Sequence, residues 1–357
     1  MTREVSLEPS SASKIGKLFL DRVSGSINGD RGIKHDEHSG PAPWLEGAAC
    51  WLLFIACAAY SVTRFNQAAT IAIDDTYIYF TAARNILEGY GSVLNPGDTH
   101  SVSTGPGWAV VLAAISSMTG GGEGLFRGAI ATGTAFLLVG SLSLTSLLQP
   151  RLGAAAGLAP LAVFTAPGLP YYSGLETNPA VGMLLAIPVL MYRYRRPTAA
   201  FFLLGVAYTV RPDLALLGLP LGMTLIIRLR SEYAKTGKSP WTDLVRCGLA
   251  GAATPLLWHS YAYVTMGSLL PQGLHAKSVQ GISGMFALFV DGLPKYLEMA
   301  TTGHGLLQLS ALVGLYFLAR DLWPILLFCA VRFLAYWAMT IADYGWYSYD
   351  IVVIGRV

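Results

Sequence analysis

Between Trp44 and Ile341 the chain returns repeatedly to uninterrupted apolar sequence of a length that only a bilayer or a large core can bury. A membrane span needs about 20 apolar residues, within a working range of about 17 to 25. Residues 44–63 meet this, and further apolar stretches run over 106–119, 125–148, 152–169, 178–192, 199–227, 244–264, 305–319 and 323–341. With 53% hydrophobic and 13% charged residues, the 357-residue chain is too apolar for an ordinary soluble domain. The fold class that follows is all-α, a polytopic transmembrane helical protein with about eight to ten crossings.

Residues 1–43 are polar and carry no apolar run, which reads as a disordered cytosolic tail without a cleavable signal peptide. Residues 44–357 form the transmembrane domain. Arg31 and Lys34 precede the first span and hold its N-terminus inside. The loop from 64 to 105 then lies outside, and its charges are Asp74, Asp75, Glu88 and Asp98 against Arg64 and Arg84. The basic clusters YRYRRP (192–197) and RLRSEYAKTGK (228–238) belong inside. The stretch between them leaves and returns, broken by Arg211-Pro212-Asp213 near the outer surface. The same parity puts 171–176 and 269–278 outside. An odd number of crossings must separate the first loop from YRYRRP, yet four candidate stretches lie there. A partial or re-entrant helix over 106–119, bounded by GPG and TGGG, restores the parity, as does one other miscounted span.

The net charge of +3 and the lack of a basic stripe interleaved with aromatics exclude a nucleic-acid partner. Cys50, Cys57, Cys247 and Cys329 lie in apolar segments without a CxxC, which predicts packing rather than a disulfide or a zinc site. GxSxG, HExxH and GxxxxGK[ST] are absent, and His100, His259 and His304 have no partners at ligand spacing.

Asp74 and Asp75 follow the first span and open a segment, 76–88, with helical spacing of Tyr79, Ala82, Ala83, Ile86 and Leu87 and with Gly89 placed as a C-terminal cap. One aspartate serves as a helix N-cap. Two adjacent carboxylates repel, an arrangement suited to a site where one takes a proton from a hydroxyl and the other holds a donor or a cation. Arg211, beside Pro212 within an apolar stretch, is a functional candidate by its setting. His275 and Lys277 lie on the outer side by topology, either as phosphate ligands or as ordinary loop charges. Glu176 either orients an acceptor or neutralises Arg211, with a helix-start carboxylate as the plainer reading. Arg84 pairs with Asp75 or remains a surface charge. Trp346 and Tyr347 suit sugar stacking or an interfacial belt.

The strings DDTYI, ARNILEGYG, LNPGD and STGPGW, in that order, resemble the first outer loop of GT-C membrane glycosyltransferases, especially the bacterial arabinofuranosyltransferase-like members. SGLET (173–177), VRPD (210–213) and LPQGLHAKS (269–278) extend the resemblance over most of the chain. It implies a polyprenyl-phosphate sugar donor, an extracytoplasmic glycan or lipid acceptor, a plasma-membrane location and single displacement with inversion. It also implies that Asp74 is the base, assisted by Asp75, with Arg211, His275, Lys277, Arg84 and Glu176 around donor and acceptor. Relatives differ in metal need, so no cofactor is fixed; a divalent cation, where present, falls to Asp74 and Asp75. STGPGW departs from a more usual TSPLW, and the end soon after YGWYSYD reads as a truncated or minimal member. These departures leave a second expectation open, a non-catalytic protein that binds or translocates lipid-linked sugars. A transporter needs charges paired at mid-membrane, whereas the sequence places them near span ends.

Overall fold

The computed structural model describes residues 43–69, 74–165, 169–237, 239–267, 269, 279 and 323–339. Within them the chain is helical and has no strand: α1 (Pro43–Ala68), α2 (Asp74–Leu87), α3 (Pro106–Thr119), α4 (Gly122–Leu152), α5 (Ala159–Phe164), α6 (Thr177–Tyr192), α7 (Pro197–Val210), α8 (Gly218–Thr236), α9 (Trp241–Met266) and α10 (Trp323–Ala338). Short 3₁₀ turns over Gly153–Leu158, Leu169–Tyr171 and Pro212–Leu217 join them. Three helical stretches are long and apolar enough to cross a membrane by length and composition: Trp44–Ala68, Gly122–Phe164 and Pro212–Thr236. The chain is an all-α membrane protein.

The centre of the bundle is α6. Nearly every residue from Thr177 to Met191 is buried, as expected of a helix apolar on all sides. It packs chiefly on α4 and α7. A Cβ on Gly140 of α4 would meet the Cα of Gly182 at 3.0 Å, and one on Gly182 would run into the Phe136 carbonyl. Only glycine at both positions lets the two backbones come this close, the small-residue contact that substitutes for hydrophobic association between helices in lipid. On the far side of α7 lies α9, most of whose residues stay exposed.

Neighbour contacts give the direction of each run. Gly153 lies against Glu46, Gly157 against the Cys50 carbonyl and Leu53, and the Phe164 ring packs edge-on to Phe65 at 5.6 Å. Residues 153–164 therefore traverse the bundle parallel to α1, although the stretch expected as one span is a 3₁₀ turn followed by the six-residue α5. Gly133 of α4 stands level with Asn178, at the start of α6, so the first ten or so residues of α4 project beyond that end of the bundle. Against this projecting part runs α3, with Ile115 on Gly128 and Thr119 on Gly124. It stands on the end of the bundle and does not traverse it, which is the partial helix expected over 106–119. Three runs then separate the first loop from residues 193–196: α4, residues 153–164 and α6. The odd parity is met.

Candidate functional site at one end of the bundle

The end carrying α3 also gathers the sequence motifs. The helix α2 spans Asp74–Leu87, earlier than the spacing over 76–88 predicts and with both aspartates inside its first turn rather than before it, and it closes on Gly89 with φ +85°. Its buried side carries Thr76, Tyr79, Ala82, Ala83 and Asn85, and packs on α3. The exposed residues are Asp74, Tyr77, Arg84, Leu87 and Glu88. The two aspartates thus part company: Asp74 is exposed, and its carboxylate accepts the backbone N–H of Asp75 at 3.0 Å, whereas Asp75 is half-buried and shares the face of Tyr79 one turn later. The expected pairing of Arg84 with Asp75 does not form; Arg84 lies 3.9 Å from Glu88, both well exposed.

Beyond α2, Asn85 fastens the loop. Its amide donates to the carbonyls of Val93 at 2.8 Å and Leu94 at 3.0 Å, and Val93 packs on Ala262 and Met266 of α9. The Asp98 carboxylate accepts the Asn95 N–H at 2.8 Å, closing the NPGD turn. Two of the motif strings in the first loop are therefore pieces of local scaffolding.

Tyr79 links this loop to the bundle. Its hydroxyl lies 3.5 Å from that of Thr104 and close to Gly105, which itself abuts the Val210 carbonyl at the end of α7. Burial pushes the Tyr79 hydroxyl well above its ordinary pKa, and the neighbouring Glu176 carboxylate pushes it further. Glu176 is 5% exposed, and its Oε2 has no hydrogen-bond partner. The turn that carries Glu176 is held by Trp108 of α3, whose indole N–H donates to the Gly174 carbonyl at 2.7 Å.

One residue past α7, Arg211 begins a buried ionic cluster. Its Nε donates to both oxygens of Asp213, at 3.1 and 3.2 Å. Arg332 and Tyr336 of α10 reach the same carboxylate, Nη1 to Oδ2 at 3.4 Å and the hydroxyl to Oδ2 at 2.7 Å. The Arg332 guanidinium also lies over the rings of Phe328 and Tyr336, 5.4 and 5.5 Å from their centroids. Arg211, Asp213 and Arg332 are all less than a tenth exposed, so two guanidiniums share one carboxylate out of water. Thr177, Ala180, Val181, Leu184 and Leu214 complete a crevice beside both arginines.

The structure therefore brings Glu176 and Arg211 to the end of the bundle where α2 begins. The described carboxylate that pairs with Arg211 is Asp213. His275 and Lys277 lie outside the described residues, as do Trp346 and Tyr347. Asp213, Arg332, Tyr336 and Tyr79 are site members that the sequence reading passed over. Arg332 had a signal: a charge in the middle of the apolar stretch 323–341, the setting that marks a functional candidate. It also corrects the expectation that charges sit only near span ends, although in space Arg332 meets Asp213 beside the end of α7. Among the described residues no group of three or more His, Cys, Asp or Glu gathers as a metal site.

The chain is similar to terminal β-(1→2)-arabinofuranosyltransferase of Mycobacterium tuberculosis, 28% identical over an alignment of 229 residues that covers 58% of this chain and 35% of that protein. The match thus spans about a third of the curated relative's length. No family model and no solved structure matches the chain. A membrane glycosyltransferase is the functional class that this similarity and the apolar helices support.

Proposed function

We propose that the protein transfers a sugar from a polyprenyl-phosphate donor to a glycan or lipid acceptor on the extracytoplasmic face of the plasma membrane, with inversion at the anomeric carbon. Asp74 takes the proton of the acceptor hydroxyl as its oxygen attacks the anomeric carbon; the bond from that carbon to the phosphate oxygen breaks, and polyprenyl phosphate leaves with the electron pair. Asp75 orients Asp74 or holds a divalent cation that offsets the leaving charge. Arg211 and Arg332, with Lys277 and His275 as further candidates, supply the positive field that a lipid phosphate needs. Arg84 and Glu176 face the acceptor.

The observation that supports this reading is that the helix opening on Asp74 and Asp75 and the buried cluster of Arg211, Asp213 and Arg332 stand at the same end of the bundle, joined through Tyr79, Gly105 and the end of α7. The similarity to an arabinofuranosyltransferase supports the reaction class, and makes a pentofuranose the first donor sugar to try. The test is incubation of purified protein with labelled polyprenyl-phosphate sugars and a panel of glycan and lipid acceptors. Transfer that disappears in Asp74→Asn is the expected result. Binding of the donor without transfer to any acceptor overturns the enzyme in favour of a lipid-sugar binding protein.

A further inference from the structure

On the exposed side of α2, a cleft of about 730 Å³ opens between that helix and the turn joining α3 to α4, and neither Arg211 nor Arg332 lines it. Tyr77 and Phe80 of α2 form one wall, with their rings edge-on at 6.2 Å. Phe126 and Glu123, at the start of α4, belong to the opposite wall, and Arg84 and Ser116 add polar groups to the lining. The backbone at Gly120, Gly121 and Gly122 turns through φ values of +76°, +79° and +53°, which side-chain-bearing residues rarely adopt. These three glycines also keep the cleft between the walls bare of side chains.

We propose that this cleft binds the carbohydrate of the acceptor, holding glycan units beyond the one whose hydroxyl reacts. The inference rests on the glycosyltransferase reading above and assigns that site its acceptor subsite. Three features favour a glycan. Aromatic faces pack against the apolar C–H faces of sugar rings, while the rims offer a guanidinium, a carboxylate and a hydroxyl to the ring hydroxyls, the mixture of apolar wall and few polar groups typical of specific pockets. The charges on the rim are already balanced locally, Glu123 by Arg127 at 2.6 Å and Arg84 by Glu88, which suits a neutral polar ligand better than an ionic one. Finally, Tyr77 lies one turn from Asp74 on the same exposed stripe, so a chain seated in the cleft leads its terminal residue toward that carboxylate. A lipid surface would ask for an apolar stripe, and this one reads Asp74, Tyr77, Arg84, Leu87, Glu88, three charges to two apolar bodies.

The experiment compares arabinofuranosyl disaccharide and tetrasaccharide glycosides of one aglycone, as acceptors and as ligands of the full chain in detergent. The tetrasaccharide has a KM about tenfold below that of the disaccharide, and Tyr77→Ala or Phe126→Ala erases the difference without moving the KM of the donor. Tyr77 is exposed, so its truncation leaves the packing of α2 intact. Saturable tetrasaccharide binding persists in Asp74→Asn and weakens to the same degree in Tyr77→Ala. That arm separates the two ideas: binding in the cleft without transfer sinks the enzyme and keeps the subsite, whereas transfer without a chain-length preference sinks the subsite and keeps the enzyme. Variants that bind the free tetrasaccharide as the parent does, yet lose turnover only with a lipid-linked acceptor, overturn the glycan in favour of a lipid contact.

Discussion

Asp74 and Asp75 are neighbours in sequence with different surroundings, and the difference separates their roles. The exposed Asp74 keeps one oxygen on the Asp75 N–H and leaves the other for a hydroxyl, whereas Asp75 turns toward the face of Tyr79. Asp74→Asn is therefore expected to lower kcat by about 10² to 10⁴, the usual range for a lost general base. Asp75→Asn lowers it less and raises the KM of the donor; equal losses from both would dissolve the distinction. Tyr79 gives a prediction of another kind. Its hydroxyl ionises ordinarily near 10.0, and burial beside Glu176 raises that value in the folded state. Above pH 10 the unfolded chain has released a proton that the folded chain still holds, so stability falls as pH rises from there. Thermal unfolding in detergent at pH 9 and pH 11 should show this loss, and Tyr79→Phe should show less of it. At Asp213 burial decides: removing the carboxylate takes a shared charged partner from two guanidiniums that are each less than a tenth exposed. Asp213→Asn should cost about 3 to 5 kcal/mol. Replacing Arg332 by Met in the same chain should restore part of that loss, and a double variant no more stable than Asp213→Asn would show that the two groups are not coupled.

Among the elements, α3 has the least conventional task, since it stands on the bundle and braces the turn that bears Glu176. That brace is one hydrogen bond, from the Trp108 indole to Gly174, made by a side chain that is 1% exposed. Trp108→Phe keeps most of the apolar bulk and orphans the carbonyl, so unfolding stability should drop by about 1 to 3 kcal/mol. Sugar transfer should fall further than that loss explains, because Glu176 is no longer held; activity equal to the parent's under folded conditions would contradict the bracing role. Much of this local structure was legible in the sequence. Paired acids and apolar spacing announced α2, Gly89 its end, Arg211-Pro212-Asp213 the end of α7, and the GPG and TGGG boundaries the short α3. Each of those signals is carried by residues next to one another in the chain. The partners of Asp213 were not legible, because Arg332 and Tyr336 lie 119 and 123 residues away and no periodicity encodes such a meeting. Nor was the difference in exposure between the aspartates, which depends on which face of α2 the bundle covers.

At the scale of the whole molecule, the helix directions assign the charged sequence to two ends. Asp74, the NPGD turn, Glu176 and Arg211 share one end with the start of α6, while the basic residues of 192–197 and the last turns of α8 sit at the other, where α6 and α8 finish. The proposal that the site faces out puts the positive cluster in the cytosol, as the rule that basic loops stay inside asks. That proposed polarity agrees with the proposed donor, because a sugar that carries its own lipid phosphate serves a compartment without nucleotide sugars. Single cysteines introduced at Thr99 and at Lys235, both exposed, report on the two ends once the four native cysteines are replaced. In intact cells a membrane-impermeant maleimide should label Thr99→Cys and leave Lys235→Cys untouched, and permeabilisation should make both react. Labelling of Lys235→Cys alone in intact cells would put Asp74 on the cytosolic face, and a polyprenyl-phosphate donor presented from outside could then no longer be the substrate.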